Sequence, residues 1–256
     1  MDINLLALNV GNSRVAIGVF LAGELLHVER VDLSDRARWT PAITEAWQKL
    51  AGHDAAIAGA SVNPALIEAI EHAVDQVTNQ EVQWIGRQIE LPITVLTEPP
   101  EQTGIDRVLN MAAAYEQIGK ACVVVDAGTA ITVNVCNDNG DFLGGAIAPG
   151  VKMSLDALHE KTASLPAVIA KPPSSGFANS TEQAMLHGVH YGVRGMVKEL
   201  VENYATELGT WPEIIATGGD AKMLFEGWEL IHAISPDLVL YGVALAYTNH
   251  HIRHGS

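Results

Sequence analysis

Cysteine is scarce in this 256-residue chain. Cys122 and Cys136 are the only two, and no CxxC pair occurs. Two isolated cysteines cannot supply the disulfide framework of a small secreted domain, so the sequence favours a reducing compartment. Each lies in an apolar run typical of a buried strand, and we interpret both as small buried hydrophobes.

Basic residues are also few, with 15 Lys and Arg against 30 Asp and Glu, for a formal net charge of -15. A chain with this much negative charge repels phosphate backbones and anionic lipids. We therefore expect neither a nucleic-acid partner nor a membrane partner. No apolar run reaches the roughly 18 residues that a membrane-spanning helix needs. Residues 1–4 carry no basic start of a signal peptide. We therefore expect a soluble, cytoplasmic protein.

Apolar residues are plentiful, at 48% of the chain, which suffices for a real core. A pattern of strand, glycine turn, strand, turn and strand occupies residues 5–31 and returns at residues 121–148, about 120 residues later. This repeat predicts two homologous α/β domains, 1–118 and 119–256. We also predict strands at 55–60, 82–85, 93–96 and 213–216, and helices at 39–50, 64–77, 106–118, 181–208 and 239–247. A loop and helix are expected at 150–165, a helix after residue 220, and a frayed polar tail at 250–254.

Two glycine turns occupy equivalent places in this repeat. In the first, Asn9-Val10-Gly11-Asn12-Ser13, glycine lets the backbone approach a phosphate, and polar side chains can donate to it. In the second, Asp126-Ala127-Gly128-Thr129, a carboxylate at a strand end can hold a cation and a hydroxyl can reach phosphate. Either turn alone is also compatible with an ordinary strand connection. Their equivalent positions favour phosphate binding.

A third glycine motif, Thr217-Gly218-Gly219-Asp220, follows an apolar strand and precedes a predicted helix. It could hold adenine or ribose against the backbone, or form an ordinary turn. The P-loop and the Rossmann fingerprint are both absent. The three motifs in this order resemble the actin-like ATPase superfamily, which includes hexokinase and the sugar kinases. That resemblance implies two duplicated ribonuclease-H-like domains, each a mixed sheet flanked by helices.

Gly104-Ile105-Asp106-Arg107 lies where a loop meets a predicted helix. A helix N-terminus should lower the pKa of Asp106 and keep it ionised, ready to accept a proton from an attacking hydroxyl. Arg107 could bind a carboxylate or phosphate with its guanidinium fork. A plain helix cap with a surface charge pair explains the same residues equally well.

With this motif, the chain resembles the type III pantothenate kinases over nearly its whole length. The matching segments also include Gly144-Gly145-Ala146-Ile147-Ala148-Pro149-Gly150, then Ser154, Ala157, Leu158, Leu165 and Pro166, then Thr181, Ala184, Met185 and Gly188. The resemblance implies a transferase that phosphorylates pantothenate with ATP, the first step of coenzyme A biosynthesis.

The resemblance also implies residue roles. Asp106 would be the catalytic base, and pantothenate would be bound by Gly104, Ile105, Asp106, Arg107 and Thr181. The ATP-binding residues would be Asn9, Val10, Gly11, Asn12, Ser13, Arg14, Val15, Ala16 and Thr129. Mg²⁺ would accompany ATP, and Asp126 would help to bind a monovalent cation, K⁺ or NH₄⁺. The enzyme would be a homodimer with a shared active site, in which Thr181 reaches the partner's pantothenate.

Two positions depart from the family pattern. The first loop has Asn9 where the family has Asp, so a carboxylate charge is missing there. Thr97 stands where the family has a Tyr near the substrate. Two alternatives therefore stay open beside an active pantothenate kinase: a weak or inactive relative that acts as a ligand-binding regulator, and a kinase for another small alcohol.

Overall fold

A computed structural model describes residues 3–174 and 176–254 of the chain. They form two compact units. One unit comprises the residues up to Ala113 together with those from Leu238 onward, and the other comprises Ala114–Asp237. The domains 1–118 and 119–256 stay a prediction, and this division differs from them chiefly in grouping the C-terminal helix with the first unit.

The first unit contains a five-stranded mixed sheet in the order β3-β2-β1-β4-β5. Its strands are β1 (Leu5–Val10), β2 (Arg14–Leu21), β3 (Glu24–Asp32), β4 (Ala56–Ser61) and β5 (Gln83–Trp84). The helices are α1 (Trp39–Gln48), α2 (Ile67–Thr78), α3 (Ile105–Ile118), which continues into the second unit, and α7 (Leu238–His254). β1 to β3 form the predicted antiparallel meander, and β4 joins β1 in parallel.

Alternating side chains of β1 supply two cores. Leu6, Leu8 and Val10 are fully buried with residues of α1 and α2. Leu5 and Ala7 face the opposite side, where they pack with residues of α3 and α7. The period of two along a strand therefore places Asn9, the next residue on that second face, beside the α3 and α7 side of the sheet.

The second unit repeats the arrangement with a sheet in the order β10-β9-β6-β7-β8. Its elements are β6 (Cys122–Ala127), β7 (Ala130–Cys136), β8 (Phe142–Pro149), α4 (Val151–Glu160), α5 (Thr181–Leu208), β9 (Glu213–Thr217), α6 (Ala221–Phe225) and β10 (Ala233–Ile234). As in the first unit, an antiparallel meander is followed by parallel strands. The α/β class and the duplicated sheet are therefore confirmed.

Two local predictions are wrong. No strand forms at residues 93–96, where Val95 makes only an isolated bridge and Leu96 is 53% exposed. The polar tail is not frayed, because α7 continues to His254. Ring pairs one turn apart support this last stretch: Tyr247 and His251 have centroids 4.2 Å apart, and His250 and His254 4.5 Å apart.

Both cysteines are buried, as expected, in β6 and β7. In the described part of the chain, no helix combines the length and the apolar character needed to cross a membrane.

Candidate active site

The first glycine turn joins β1 to β2 and is held by its own backbone. The Gly11 N–H donates to the Arg14 carbonyl at 2.9 Å, and the Leu33 N–H donates to the Ser13 carbonyl at 2.9 Å. The side chains of Asn12 and Ser13 are exposed. The main chain of the turn is therefore fixed by hydrogen bonds, and its polar side chains point outward, as a phosphate-binding loop requires.

Asn9 ends the same strand and carries an unusual buried atom. In the ladder it lies between Ala16 of β2 and Ala60 of β4. Its Oδ1 is buried and finds no hydrogen-bond donor within the described residues. An unsatisfied buried carbonyl costs about 1–3 kcal/mol, so a ligand that supplies a donor or a positive charge here would relieve that cost. The neutral amide thus fits a cation or its water, because amide oxygens are ligands for hard cations.

The other predicted nucleotide-binding residues of this segment divide into two groups. Val10 and Val15 are 0% and 2% exposed and belong to the core with α1 and α2. A nucleotide could therefore contact only the backbone of these two valines. Arg14 is exposed at the start of β2, and its Nε lies 3.0 Å from the Asp32 carboxylate. Ala16 is half-buried and packs with the α3 and α7 side of the sheet.

The predicted substrate motif forms the first turn of α3. Ile105 packs against the apolar cluster that contains Leu109, which fixes the rotation of the helix. The half-buried Asp106 folds back so that its Oδ1 accepts the Arg107 N–H at 2.8 Å. A Cβ on Gly104 would lie 2.8 Å from that same oxygen, so a larger residue there would displace the carboxylate. Glycine, carboxylate and helix start therefore form one local unit.

The predicted lowering of the Asp106 pKa is wrong. Burial raises the pKa of this carboxyl above its ordinary value of 3.8 and outweighs the Arg107 N–H and guanidinium, which lower it. The helix N-terminus therefore does not dominate the electrostatics of this side chain. A carboxylate with a raised pKa is a better proton acceptor, which suits a general base more closely than the predicted strongly acidic group would.

The second glycine turn joins β6 to β7. The Gly128 N–H donates to the Ala130 carbonyl at 3.1 Å, and the Gly150 N–H donates to the Thr129 carbonyl at 3.2 Å. Asp126 lies on the sheet face opposite that of Val125 and Ala127, which are in the core. Its carboxylate therefore leaves the sheet on the same face as the buried Cys122 and Val124, away from that cluster.

The third motif packs directly on this second turn. The Asp220 N–H donates to the Ala127 carbonyl at 2.9 Å, and Thr217 is the ladder neighbour of Asp126. Gly218 has φ +93, and a Cβ there would collide with the Asp126 carboxylate and the Ala127 backbone. The structure thus brings the predicted phosphate turn and the predicted adenosine motif together in the second unit.

A helix was predicted within residues 150–165, but its contact with the second glycine turn was not. α4 begins immediately after Gly150, whose amide is bonded to the second turn, so the first turn of this 10-residue helix starts beside Thr129. The first N–H groups of a helix have no intrahelical acceptor and attract anions. The Pro149-Gly150 pair before a helical apolar pattern is a sequence signal that could have located this helix start.

A metal ion at either turn would need ligands in addition to the protein's side chains. Among residues 3–174 and 176–254, no group of three or more His, Cys, Asp or Glu side chains could hold a metal ion. Mg²⁺ in nucleotide sites is commonly held by one or two carboxylates together with phosphate oxygens and waters. A single carboxylate at Asp126 and the amide oxygen of Asn9 are compatible with that kind of binding.

Thr181 is the first residue of α5 and belongs to the second unit. The preceding Ser180 caps the helix by accepting the Gln183 N–H at 3.2 Å. Thr181 lines a groove of about 890 Å³ between α4 and α5, whose other walls are mainly apolar and include Leu158 and Met185. Gly104–Arg107 lie in the first unit, so the predicted role of Thr181 toward pantothenate remains a prediction.

Structures of known proteins share this fold. Component A of (R)-2-hydroxyglutaryl-CoA dehydratase from Acidaminococcus fermentans superposes with a TM-score of 0.55 at 15% identity, over 99% of this chain and 100% of the other. MreB 5 of Spiroplasma citri bound to AMPPNP gives a TM-score of 0.52 at 13% identity, over 100% of both chains. At these identities the likeness shows the fold alone, which is that of the actin-like ATPases.

Sequence comparison goes further. The family model for type III pantothenate kinase matches residues 5–203. Type III pantothenate kinases from Dehalococcoides mccartyi strain CBDB1 and from Brevibacillus brevis are each 32% identical, over 249 and 250 residues. These matches cover 95% of this chain in both cases, and 95% and 98% of the two relatives. The chain is a kinase that belongs to the type III pantothenate kinase family.

Proposed function

We propose that this chain transfers the γ-phosphoryl group of ATP to the primary hydroxyl of pantothenate and so carries out the first step of coenzyme A biosynthesis. The observation that carries the proposal is Asp106, a half-buried carboxylate with a raised pKa at the start of α3. It stands within a Gly-x-Asp-Arg segment of a chain whose family membership extends over most of its length.

In the proposed reaction, Asp106 accepts the proton of the pantothenate hydroxyl as its oxygen attacks the γ-phosphorus. The new oxygen–phosphorus bond forms while the bond to the β-phosphate bridging oxygen breaks, and ADP leaves with that electron pair. Gly104 and Ile105 contact the acceptor, and Arg107 lies near its carboxylate. The bond from the Arg107 N–H holds one oxygen of Asp106, which leaves the other for the proton.

The nucleotide is assigned to the glycine turns. The segment Asn9–Ala16 binds phosphate through backbone N–H groups and through Asn12 and Ser13, while Thr129 donates its hydroxyl. The first turn of α4 adds N–H donors beside Thr129. The motif Thr217–Asp220 holds the adenosine. This assignment is supported by the backbone hydrogen bonds of both turns and by the packing of the third motif on the second.

Cations supply the positive charge that neutralises the transferring phosphoryl group. Mg²⁺ would accompany ATP, with the orphaned Oδ1 of Asn9 as an oxygen that fits the ion or its water. Asp126 would bind K⁺ or NH₄⁺. A neutral amide at Asn9 attracts Mg²⁺ less than a carboxylate would, so this chain should work with reduced metal affinity rather than without the metal.

We further propose a cytoplasmic homodimer in which Thr181 reaches the partner's pantothenate, with no nucleic-acid or membrane partner. Support comes from the apolar groove beside Thr181, which is large enough to receive protein side chains. Light scattering of the purified chain tests the assembly. A monomer at micromolar concentration would contradict this part of the proposal and leave the assignment of Asp106 standing.

The acceptor is tested by incubating the chain with ATP, Mg²⁺, K⁺ and pantothenate and measuring 4′-phosphopantothenate by mass spectrometry. A second sample contains an analogue of pantothenate in which the primary hydroxyl is replaced by hydrogen. The proposal predicts product with pantothenate and no ADP beyond background with the analogue. Equal ADP formation in both samples would show that pantothenate is not the acceptor.

A further inference from the structure

A pair of hydroxyls joins the two ends of the loop that precedes Gly104. Thr97 Oγ1 and Thr103 Oγ1 lie 2.5 Å apart, at the short end of the range for O–H···O bonds. Both side chains are half-buried, whereas the residues between them, 98–102, are largely exposed. A half-buried bond at the base of an exposed loop is placed to hold that loop closed.

This side-chain bond is the link between the two limbs of the loop. The backbone bonds nearby, from the Gln102 N–H to the Pro99 carbonyl and from the Thr103 N–H to the Pro100 carbonyl, form only the short turn inside it. Within the described part of the chain, no backbone hydrogen bond of this loop reaches Thr97. Closure therefore depends on the two hydroxyls.

The second of these threonines leads directly into the substrate motif. Thr103 is followed by Gly104, whose carbonyl accepts the Arg107 N–H at 3.1 Å and the Val108 N–H at 3.4 Å. These bonds make the first turn of α3, and Asp106 lies within it. A shift of Thr103 would therefore move the carbonyl on which that turn is built.

We propose that Thr97 and Thr103 form a latch that positions the segment Gly104–Arg107 for the phosphoryl acceptor. The kinetic effect expected of this latch rests on the proposed function. Its two threonines are positioning residues rather than catalytic ones. It acts on acceptor binding and leaves the nucleotide turns untouched, because it is continuous with α3 and not with the β1–β2 turn. An acceptor-specific change in KM is therefore its signature.

The kinetic test uses Thr97→Val, Thr103→Val, the double variant and Thr97→Ser. Valine keeps the shape and removes the hydroxyl, and serine keeps the hydroxyl. We expect each valine variant to raise the KM for pantothenate about 3- to 10-fold, the scale of one neutral hydrogen bond. The KM for ATP should be unchanged and Thr97→Ser should resemble the wild type. The double variant should be no worse than either single one.

Thr78→Val is the matched control. This residue also lies in the first unit, and its hydroxyl donates to the Val74 carbonyl at 2.9 Å within α2. It reports the general effect of removing a part-buried threonine hydroxyl, and thermal melting of every variant reports folding. Additive effects of Thr97→Val and Thr103→Val, or an equal rise in the KM for ATP, would overturn the latch.

Backbone hydrogen exchange tests the latch independently of any turnover. In wild type and Thr97→Val, deuterium uptake is followed by mass spectrometry in peptides that cover residues 98–110. The latch predicts faster exchange in this segment for Thr97→Val and no change for Thr78→Val. Unchanged hydrogen exchange in this segment would overturn the latch, whatever the kinetic measurements give. Failure of the wild type to phosphorylate pantothenate would instead overturn the proposed function, with the exchange result still deciding the latch.

Discussion

Replacing Asp106 by asparagine removes the proposed base and little else. Asparagine has the same shape, and its Oδ1 can still accept the Arg107 N–H that Asp106 accepts at 2.8 Å. The first turn of α3 should therefore keep its geometry, so substrate binding should survive. General base catalysis contributes about 10²- to 10⁴-fold, which corresponds to about 3–5 kcal/mol of activation free energy. We expect kcat to fall by that factor with the KM values changed less than about threefold.

The raised pKa of Asp106 gives this variant two further signatures. Burial disfavours the ionised carboxylate in the folded state, so the folded protein binds the proton more tightly than the unfolded chain does. Stability from this group therefore falls as pH rises from the unfolded value of 3.8 through the folded pKa, and it stays lower above that pKa. Asp106→Asn removes the cost of burying a charged carboxylate, so at neutral pH the variant should melt at the same temperature as the wild type or at a higher one. The wild-type kcat should fall on acidification through the folded pKa.

The assay is a coupled ADP assay from pH 4.5 to 8, with calorimetric melting of each sample. Glu101→Gln serves as the control, because it removes an exposed carboxylate from the neighbouring turn in the same isosteric way. A rate for Asp106→Asn within threefold of the wild type would refute the base assignment. A marked drop in its melting temperature would refute the burial argument.

Changes at three other residues give separate tests, and a change at a fourth serves as a control. Asn9→Asp should lower the Mg²⁺ concentration for half-maximal rate about 10-fold, or ~1.4 kcal/mol, because a carboxylate attracts the ion more strongly; an unchanged Mg²⁺ titration would contradict this role. Asp126→Asn should raise the K⁺ concentration for half-maximal rate, and a rate independent of K⁺ in the wild type would rule out the assignment. Gly218→Ala should destabilise the protein by about 1–3 kcal/mol in denaturant titration, because φ is +93 and its Cβ meets the Asp126 carboxylate. Gly195→Ala, in open space on α5, should instead stabilise by about 0.5–1 kcal/mol, and equal effects at the two glycines would be contrary to this reasoning.

Much of the fold could be predicted because its signals are local. Glycine turns between short apolar runs identified both meanders, and their return along the chain identified the duplication. The failed strand at 93–96 shows the limit. An apolar run becomes a strand only if a neighbouring strand pairs with it, and pairing is decided by tertiary structure. The grouping of α7 with the first unit is equally non-local, because it depends on the packing of Leu240 and Val243 with Leu5, at the other end of the chain.

The candidate site shows the same division. The motif types and the sheet-end position of Asp126 follow from residue patterns. The raised pKa of Asp106 does not, because it depends on the atoms that bury the carboxylate rather than on the helix start that the sequence reveals. The orphaned oxygen of Asn9 and the bond between Thr97 and Thr103 are likewise products of packing. The sequence identified Asn9 and Thr97 as departures from the family pattern without showing what their side chains do.

The most direct test of the central claim follows the phosphoryl group itself. The wild-type chain and Asp106→Asn are each given γ-³²P-labelled ATP, Mg²⁺, K⁺ and pantothenate, and labelled 4′-phosphopantothenate is separated and counted. The account predicts label in that product for the wild type and a loss of about 100-fold or more for the variant. Label that stays in ATP, or that appears only as inorganic phosphate in the wild type, would contradict it.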